Sequence, residues 1–298
     1  MFFGLTGTHL LNDYEIELSR TLDSLWNFGH LLLFFYFNYL LIRFKPALKN
    51  KSILVRLLIV FGLTTLLGVA IEVFQQTFMG GKIDPADLLK NYTGATAAFL
   101  FFWCFPYESV LKKILWITLL SLLFLELQPL AATAVDEYKN INQFPVISDL
   151  ESETELERYS WTGLPLELST KYISHGDHSA KIVFTNQKYS TVSLDRFSRD
   201  WSGYNWLAFD IFNPDSLLTL TCRINDLEHK KNNYAFADRY NSRIELKPGW
   251  NNIRIALADV LNAPASRKMN MKAVRNWAIF TTRLNQDRTI YLDFVRLE

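Results

Sequence analysis

The chain has 298 residues, with 31 Lys and Arg against 30 Asp and Glu, so its formal net charge is +1. This balance excludes the basic surface that follows a nucleic-acid backbone, and we expect no nucleic-acid partner. Charged residues are sparse up to residue 135, with 10 basic and 9 acidic, and dense beyond it, with 21 of each, which predicts two domains.

Four apolar stretches follow one another in the first part of the chain. A helix needs about 20 mostly apolar residues to cross the roughly 30 Å hydrocarbon core of a bilayer. The stretches are residues 25–42, 53–73, 88–105 and 114–132. They predict an α-helical transmembrane bundle of about four spans over residues 1–135, with the membrane lipid bilayer around it.

Basic residues mark two of the connections between these stretches. These residues are Arg43, Lys45, Lys49, Lys51 and Arg56 in the first connection, and Lys112 and Lys113 in the last. By the positive-inside rule, both connections lie in the cytoplasm. If the number of spans is even, both chain ends lie on the other side, which predicts a multi-pass protein with an extracytoplasmic C-terminal domain.

Polar side chains recur at the outer ends of the first three stretches. Ionisable groups at membrane depth are costly and usually face the bundle interior or water, so they are candidates for function. Together they predict an outward-facing, ligand-binding polar pocket of Asn27, His30, Glu72, Gln75, Lys82, Asp84, Asp87 and Asn91.

Plain structural roles also fit some of these residues. Asp84 precedes a proline and suits a helix N-cap, and Glu72 with His30 suits a structural ion pair. Further along, Gly94 and Ala98 form a small-xxx-small pair, which predicts the close approach of a neighbouring helix.

Residues 71–95 read IEVFQQTFMGGKIDPADLLKNYTGA. This stretch resembles the VanZ-like family of bacterial membrane proteins, named after a protein linked to teicoplanin resistance. The family pattern of Glu and Gln ending one helix, then Asp, Asp, Asn and Gly opening the next, is matched by Glu72, Gln75, Asp84, Asp87, Asn91 and Gly94. Lys82 replaces the family's usual Arg, and His30 in NFGHLLLF matches a histidine on an earlier helix. The resemblance covers about residues 24–130; it implies a bacterial plasma (inner) membrane and no settled reaction.

After residue 136 the pattern changes to short alternating segments. Residues 136–150 are polar and acidic, which predicts a linker. Beyond it, apolar and polar residues alternate with a period of two in 179–184, 190–197, 206–212, 217–224, 243–257, 275–282 and 289–297. Turn signals separate these runs, and they predict an all-β sandwich or barrel over residues 151–298.

This part resembles the galactose-binding-like jelly-roll domains found among carbohydrate-binding modules. The motifs that carry the resemblance are HGDHSAKIVF, DWSGYNWLAFDIFNP, PGWN and the closing YLDFVRL. Such modules often hold a structural Ca²⁺ between the first and last strands, and the hard oxygen ligands available here are Glu151, Asp177 and Asp293. The structural alternative is that Asp293 caps an edge and Glu151 is solvated.

A sugar site needs aromatic faces flanked by hydrogen-bonding groups. Most tryptophans of the alternating segments are expected in the core or its rim. The residues at and just beyond the end of one strand predict the glycan site instead; they are Arg223, Asp226, Tyr234 and Arg239.

Three classes of function stay open. The first, which we favour, is an envelope protein that recognises a glycan or lipid-linked envelope component through the polar pocket and the β domain. The second is a membrane enzyme with His30, Glu72 and Asp87 as acid–base groups, although the sequence has no nucleophile elbow, P-loop or HExxH motif. The third is a membrane-anchored protein-interaction module.

Overall fold

A computed structural model of the chain describes residues 20–45, 48, 50–79, 85–104 and 110–298. The chain divides into two compact units, Met1–Glu137 and Tyr138–Glu298, called here the helical unit and the β unit. Residues 136–150, which the sequence predicts to be a linker, hold the end of the fourth long helix and the first strand.

Four long helices form the described part of the helical unit. They are α1 (Arg20–Phe44), α2 (Ile53–Met79), α3 (Pro85–Cys104) and α4 (Val110–Gln143). Within the described residues, three helices are long and apolar enough to cross a membrane, namely Arg20–Phe44, Ile53–Phe78 and Lys113–Gln143. The predicted third span is the helix α3, which is not one of these three because polar residues fill its N-terminal half. The orientation derived from an even number of spans therefore stays a prediction.

Helices α1 and α3 approach each other at the backbone. A Cβ atom added at Gly94 would lie 2.3 Å from the carbonyl oxygen of Leu31 and 2.9 Å from the amide nitrogen of Phe35. Ala95 and Ala98, on the same helix as Gly94, are fully buried. The close approach predicted from the small-xxx-small pair is confirmed.

Charged side chains join the start of α1 to the far end of α4. Arg20 forms a buried ion pair with Asp136, and the backbone N–H of Thr21 donates to Glu137 Oε1 at 3.2 Å. These polar contacts lie near the helix ends, where the apolar character of both helices stops.

The β unit consists of two antiparallel sheets packed face to face. Sheet 1 has the order β3-β4-β11-β6-β9, with β1 also paired to β11, and sheet 2 has the order β2-β5-β10-β7-β8. The strands are β1 (Val146–Ser148), β2 (Tyr159–Trp161), β3 (Glu167–Ser169), β4 (Ser179–Phe184), β5 (Ser190–Leu194), β6 (Trp206–Asn213), β7 (Leu218–Asp226), β8 (Tyr240–Leu246), β9 (Gly249–Ala256), β10 (Val274–Thr281) and β11 (Arg288–Leu297). Short helices α5 (Glu153–Leu156) and α6 (Leu257–Leu261) and two 3-10 turns, Leu227–Lys230 and Phe236–Asp238, complete the unit.

Alternation along the strands builds the core between the two sheets. In β7, Leu220, Cys222 and Ile224 point inward, and Phe209 from β6 meets Trp277 from β10 with ring centroids 5.0 Å apart. Burial raises the pKa of the Cys222 thiol to about 12. The predicted all-β sandwich is confirmed.

A carboxylate pair lies where the chain enters the sandwich. Glu155 Oε1 accepts hydrogen bonds from Ser148 Oγ at 2.7 Å and from the Asp149 amide at 2.9 Å. Burial, reinforced by the hydrogen bond and negative charge of Glu155, raises the pKa of Asp149 to about 7. Burial alone would raise the pKa of Glu155, but Arg158 and the hydrogen bonds from Asp149 and Ser148 lower it.

The Asp149–Glu155 pair predicts that the stability of the β unit depends on pH. Because the pKa of Asp149 is higher in the folded state, its contribution to stability is complete below about pH 3.8 and is lost as pH rises through about 7. We expect the β unit to lose on the order of 1 kcal/mol between pH 5 and pH 8, after allowing for screening of this partly buried group. Asp149→Asn should remove that slope, as measured by hydrogen exchange of β6 and β11 amides in the detergent-solubilised chain. An equal slope in wild type and variant would contradict the assignment.

Candidate functional site

Five of the residues predicted for the polar pocket are buried together in the helical unit. They are His30 on α1, Glu72 and Gln75 on α2, and Asp87 and Asn91 on α3. Asn27, one turn before His30, is exposed. Lys82 and Asp84 lie outside the described residues.

Three of these side chains converge on one point. One ligand atom from each of His30, Glu72 and Asp87 lies within 4.8 Å of the other two. His30 Nε2 is 3.8 Å from Asp87 Oδ2, and Lys90 Nζ donates to Asp87 Oδ1 at 2.9 Å. Lys90, one turn after Asp87, is part of this cluster although the sequence did not single it out.

Asn91 connects the three helices around the cluster. Its Oδ1 lies 3.2 Å from His30 Nδ1, and a Cβ atom at Gly68 on α2 would lie 2.8 Å from its Nδ2. Gly68 therefore leaves the space that Asn91 occupies. It stands four residues before Glu72, and this spacing places both on one side of α2, a signal that sequence reasoning missed.

A second candidate site lies on the outward side of sheet 2, which we call the outer face. Strand register brings Arg223 opposite Ala278 on β10 and Asn241 on β8. One step along, Thr221 lies opposite Phe280 and Arg243. A groove of about 570 Å³ runs beside them; its lining includes Thr219, Thr221, Arg243, Phe280, Leu284 and Asn285.

A chain of hydrogen bonds crosses the outer face. Arg223 Nη2 donates to Asn276 Oδ1 at 3.0 Å, and Asn276 Nδ2 donates to Asp195 Oδ1 at 2.6 Å. The other oxygen of Asp195 accepts from Ser160 Oγ at 2.6 Å. These contacts hold the Arg223 guanidinium in place and leave its Nε free.

Three polar atoms of the outer face are buried without a hydrogen-bond partner. They are Arg223 Nε, Arg239 Nε and Asn241 Oδ1. Burial, with the neighbouring Arg239 charge, lowers the pKa of Arg223, and burial lowers the pKa of Arg239. Leaving such atoms unpaired costs free energy, which a bound ligand with matching groups would recover.

The predicted glycan residues divide between this face and another site. Arg239 lies beside Arg223, and its guanidinium sits 5.1 Å from the ring centroid of the exposed Phe236. Tyr234 is 63% exposed, and its ring makes an edge contact with His229. Asp226 is buried, and both of its oxygens accept hydrogen bonds from Arg267. The structure thus brings two of the four together on the outer face.

The predicted calcium ligands meet around one loop, residues 174–178. Asp293 Oδ2 accepts from the backbone amides of Ser174 and His175, at 2.7 and 3.1 Å. Glu151 Oε1 accepts from the amide of Asp177 at 2.9 Å. Burial raises the pKa of Asp293. The calcium ion expected at Glu151, Asp177 and Asp293 stays a prediction. Within the described part of the chain, the metal-ligating side chains that converge on one point are His30, Glu72 and Asp87.

No protein-family model and no curated protein matches the chain, so the resemblance to the VanZ-like family stays a prediction. Solved structures similar to the β unit include a family 11 carbohydrate-binding module from Clostridium thermocellum in complex with a β-1,3-1,4-mixed-linked tetrasaccharide. It is 16% identical with a TM-score of 0.39, over 51% of this chain and 93% of the module.

Two more structures are similar over about the same share of the chain. A family 28 module specific for non-crystalline cellulose is 12% identical with a TM-score of 0.37, over 52% of this chain and 93% of the module. An exo-β-agarase is 11% identical with a TM-score of 0.40, over 51% of this chain and 25% of the agarase.

Proposed function

We propose that this chain is a membrane protein of the bacterial cell envelope whose β unit binds a glycan on the outer face of sheet 2. The observation that carries the proposal is the set of three buried, unpartnered polar atoms at Arg223, Arg239 and Asn241. Sugar hydroxyl and carboxylate groups supply the acceptors and donors that these atoms lack.

The charge of the outer face favours a glycan that carries negative groups. Arg223, Arg239 and Arg243 all belong to this side of the sheet, and Arg239 holds its guanidinium over the exposed ring of Phe236. Guanidinium groups bind carboxylate or sulfate in a planar, two-bond geometry. Two carboxylates oppose this charge, Glu245 further along β8 and Asp195, which Asn276 links to Arg223, and the three arginines outnumber them.

Membrane placement rests on the helical unit. Three helices have the length and apolar character of membrane spans, and the connection between α1 and α2 carries Lys45, Lys49 and Lys51. With α3 as the fourth span that the sequence predicts, the positive-inside rule puts the β unit outside the cytoplasm. The resemblance to the VanZ-like family implies that the membrane is the plasma (inner) membrane. The buried polar cluster would then contact a lipid-linked envelope component.

A membrane enzyme is the second candidate. The convergence of His30, Glu72 and Asp87 within 4.8 Å favours it, because a histidine and two carboxylates can exchange protons with a bound substrate. A binding role needs no such proton transfer. Variants of Glu72 or Asp87 that keep binding and lose turnover of a lipid-linked substrate would favour the enzyme.

The glycan proposal predicts that Arg223 contributes to the affinity for oligosaccharides and that Arg254 does not. We expect the detergent-solubilised chain to bind polyuronic or sulfated oligosaccharides by isothermal titration, and Arg223→Gln to raise the Kd at least tenfold because it removes a charged donor. The matched control is Arg254→Gln, since Arg254 lies on β9 of the other sheet and is half exposed. Titrations run with calcium and with a chelator also test the expected ion at Glu151, Asp177 and Asp293.

Either of two results would overturn this proposal. One is the absence of binding to every charged and neutral glycan tried, with the β unit folded. The other is an equal loss for the Arg223 and Arg254 variants. Preference for a neutral glycan, with the Arg223 effect intact, would keep the site and reject the anionic class.

A further inference from the structure

The cluster of His30, Glu72 and Asp87 has the composition of a metal site rather than that of a simple ion pair. It combines one imidazole and two carboxylates, each from a different helix, and all three residues are less than 9% exposed. Mixed nitrogen and oxygen ligands are typical of divalent transition metals. Their ligand atoms already lie within 4.8 Å of one another.

The hydrogen bonding of His30 leaves the ligating nitrogen open. Asn91 Oδ1 accepts the proton of His30 Nδ1 at 3.2 Å, which fixes the tautomer with a lone pair on Nε2. His30 Nε2 is buried and has no hydrogen-bond partner. Metal-bound histidines commonly donate their second N–H to such an acceptor, so Asn91 has the place of a supporting residue.

The distances also suit an ion between the side chains. His30 Nε2 and Asp87 Oδ2 are 3.8 Å apart, which is too long for a hydrogen bond. Two ligands that each lie about 2.1 Å from a tetrahedral metal are separated by about 3.4 Å. A side-chain adjustment of a few tenths of an ångström would bring the pair to that separation.

The two oxygens of Asp87 have different neighbours. Lys90 Nζ donates to Asp87 Oδ1 at 2.9 Å. This leaves Asp87 Oδ2 directed toward His30, on the side where an ion would lie.

We propose that the helical unit binds one divalent transition-metal ion, with Zn²⁺ as the probe, through His30 Nε2 and the carboxylates of Glu72 and Asp87. Three protein ligands leave a position for water or for a ligand oxygen, as in catalytic zinc sites. This site is separate from the glycan site of the β unit, so the two proposals can fail independently.

The test uses the full-length chain in detergent, stripped of metal with a chelator and dialysed against Zn²⁺. We expect one bound zinc per chain by elemental analysis, with His30→Gln and the isosteric Asp87→Asn each lowering the affinity at least 100-fold. Thr65→Val is the control for a polar contact between α2 and α3 outside the cluster. His175→Gln is the control for an exposed histidine of the β unit; both should bind zinc as wild type does.

A spectroscopic measurement separates ligation from a general loss of folding. With Co²⁺ in place of Zn²⁺, His30→Cys should add a sulfur-to-cobalt charge-transfer band in the near ultraviolet, which requires a direct bond. The proposal is overturned if the helical wild-type chain binds no zinc above the His30→Gln level, if His175→Gln removes the zinc, or if His30→Cys gives no such band. The first of these results would leave His30 and Asp87 as a structural ion pair.

Discussion

Replacing Gly94 with leucine is expected to separate α1 from α3 and to abolish the native helical unit. The leucine side chain would clash with the backbone of α1, since a Cβ atom at Gly94 would lie 2.3 Å from the Leu31 carbonyl oxygen. A side chain there cannot be accommodated by a change of rotamer. Overpacking against movable side chains costs about 1–3 kcal/mol, and we expect a loss of about 3 kcal/mol or more.

The matched control for this variant is Gly62→Leu on α2. Apart from the backbone of its own helix and its chain neighbours, no described atom lies within 4 Å of a Cβ built at Gly62, so this variant should unfold close to the wild-type temperature. Thermal unfolding in detergent, followed by circular dichroism, measures both. If Gly94→Leu unfolds within a degree or two of Gly62→Leu, the close packing of α1 on α3 is wrong.

Replacing Arg267 with methionine is expected to be the most damaging single change in the β unit. Its guanidinium donates to both oxygens of Asp226, at 2.5 and 2.7 Å, and to both oxygens of Asp238, at 2.7 and 2.8 Å. The side chains of the two aspartates are only 0% and 6% exposed. Removing one partner of a buried ion pair typically costs about 3–5 kcal/mol, because the remaining charges stay buried and unpaired.

The control is Arg254→Met, because Arg254 pairs with Glu298 while half exposed. Such surface pairs contribute about 1 kcal/mol or less. Urea unfolding of the detergent-solubilised chains, followed by hydrogen exchange in β7 and β10, gives both losses. Equal losses would mean that Arg267 contributes no more than a surface pair.

At acidic pH, the difference in free energy of unfolding between the wild type and the Arg267 variant should become smaller. Hydrogen bonds from Arg267, then from His229 and Asn232, hold the pKa of Asp238 well below its ordinary value of 3.8. A depressed pKa stabilises the fold above the unfolded-state pKa, and this stabilisation is lost as pH falls below it. The wild type therefore loses stability below about pH 4. The variant loses less, because without Arg267 the ionised Asp238 carboxylate stabilises the fold less.

Period and composition were sufficient to predict a helical part followed by an all-β part, but they left a sandwich and a barrel equally open; the sandwich was implied by the resemblance to jelly-roll modules. Alternating residues such as Leu220, Cys222 and Ile224 face the core as their spacing requires. Most of the polar pocket was also predictable, because a buried polar group on an apolar helix stands out. Partners distant in sequence were not predictable. Asp226 resembled a site residue at a strand end, and its partner Arg267 is 41 residues further on.

The details of the outer face and of the entry to the sandwich depend on register, which the alternation does not fix. Arg243 and Phe280 line one groove because β8 and β10 both pair with β7 at one particular step. The segment predicted to be a linker contains β1, which pairs with the last strand, 295–296. The polar composition of this segment does not predict β1, because the strand forms only through its pairing with β11.

The strand orders bear on how the β unit is made during synthesis. In sheet 1, β11 joins the β3-β4 pair to the β6-β9 pair, and in sheet 2, β10 joins β2-β5 to β7-β8. Until these two strands leave the ribosome, the nascent chain can form only four separate hairpin-like pairs with unpaired edges. Such edges invite aggregation, and non-local pairing is slow. The sandwich therefore closes only after residue 297 has emerged, and until then the unfinished chain exposes the edges that chaperones cover.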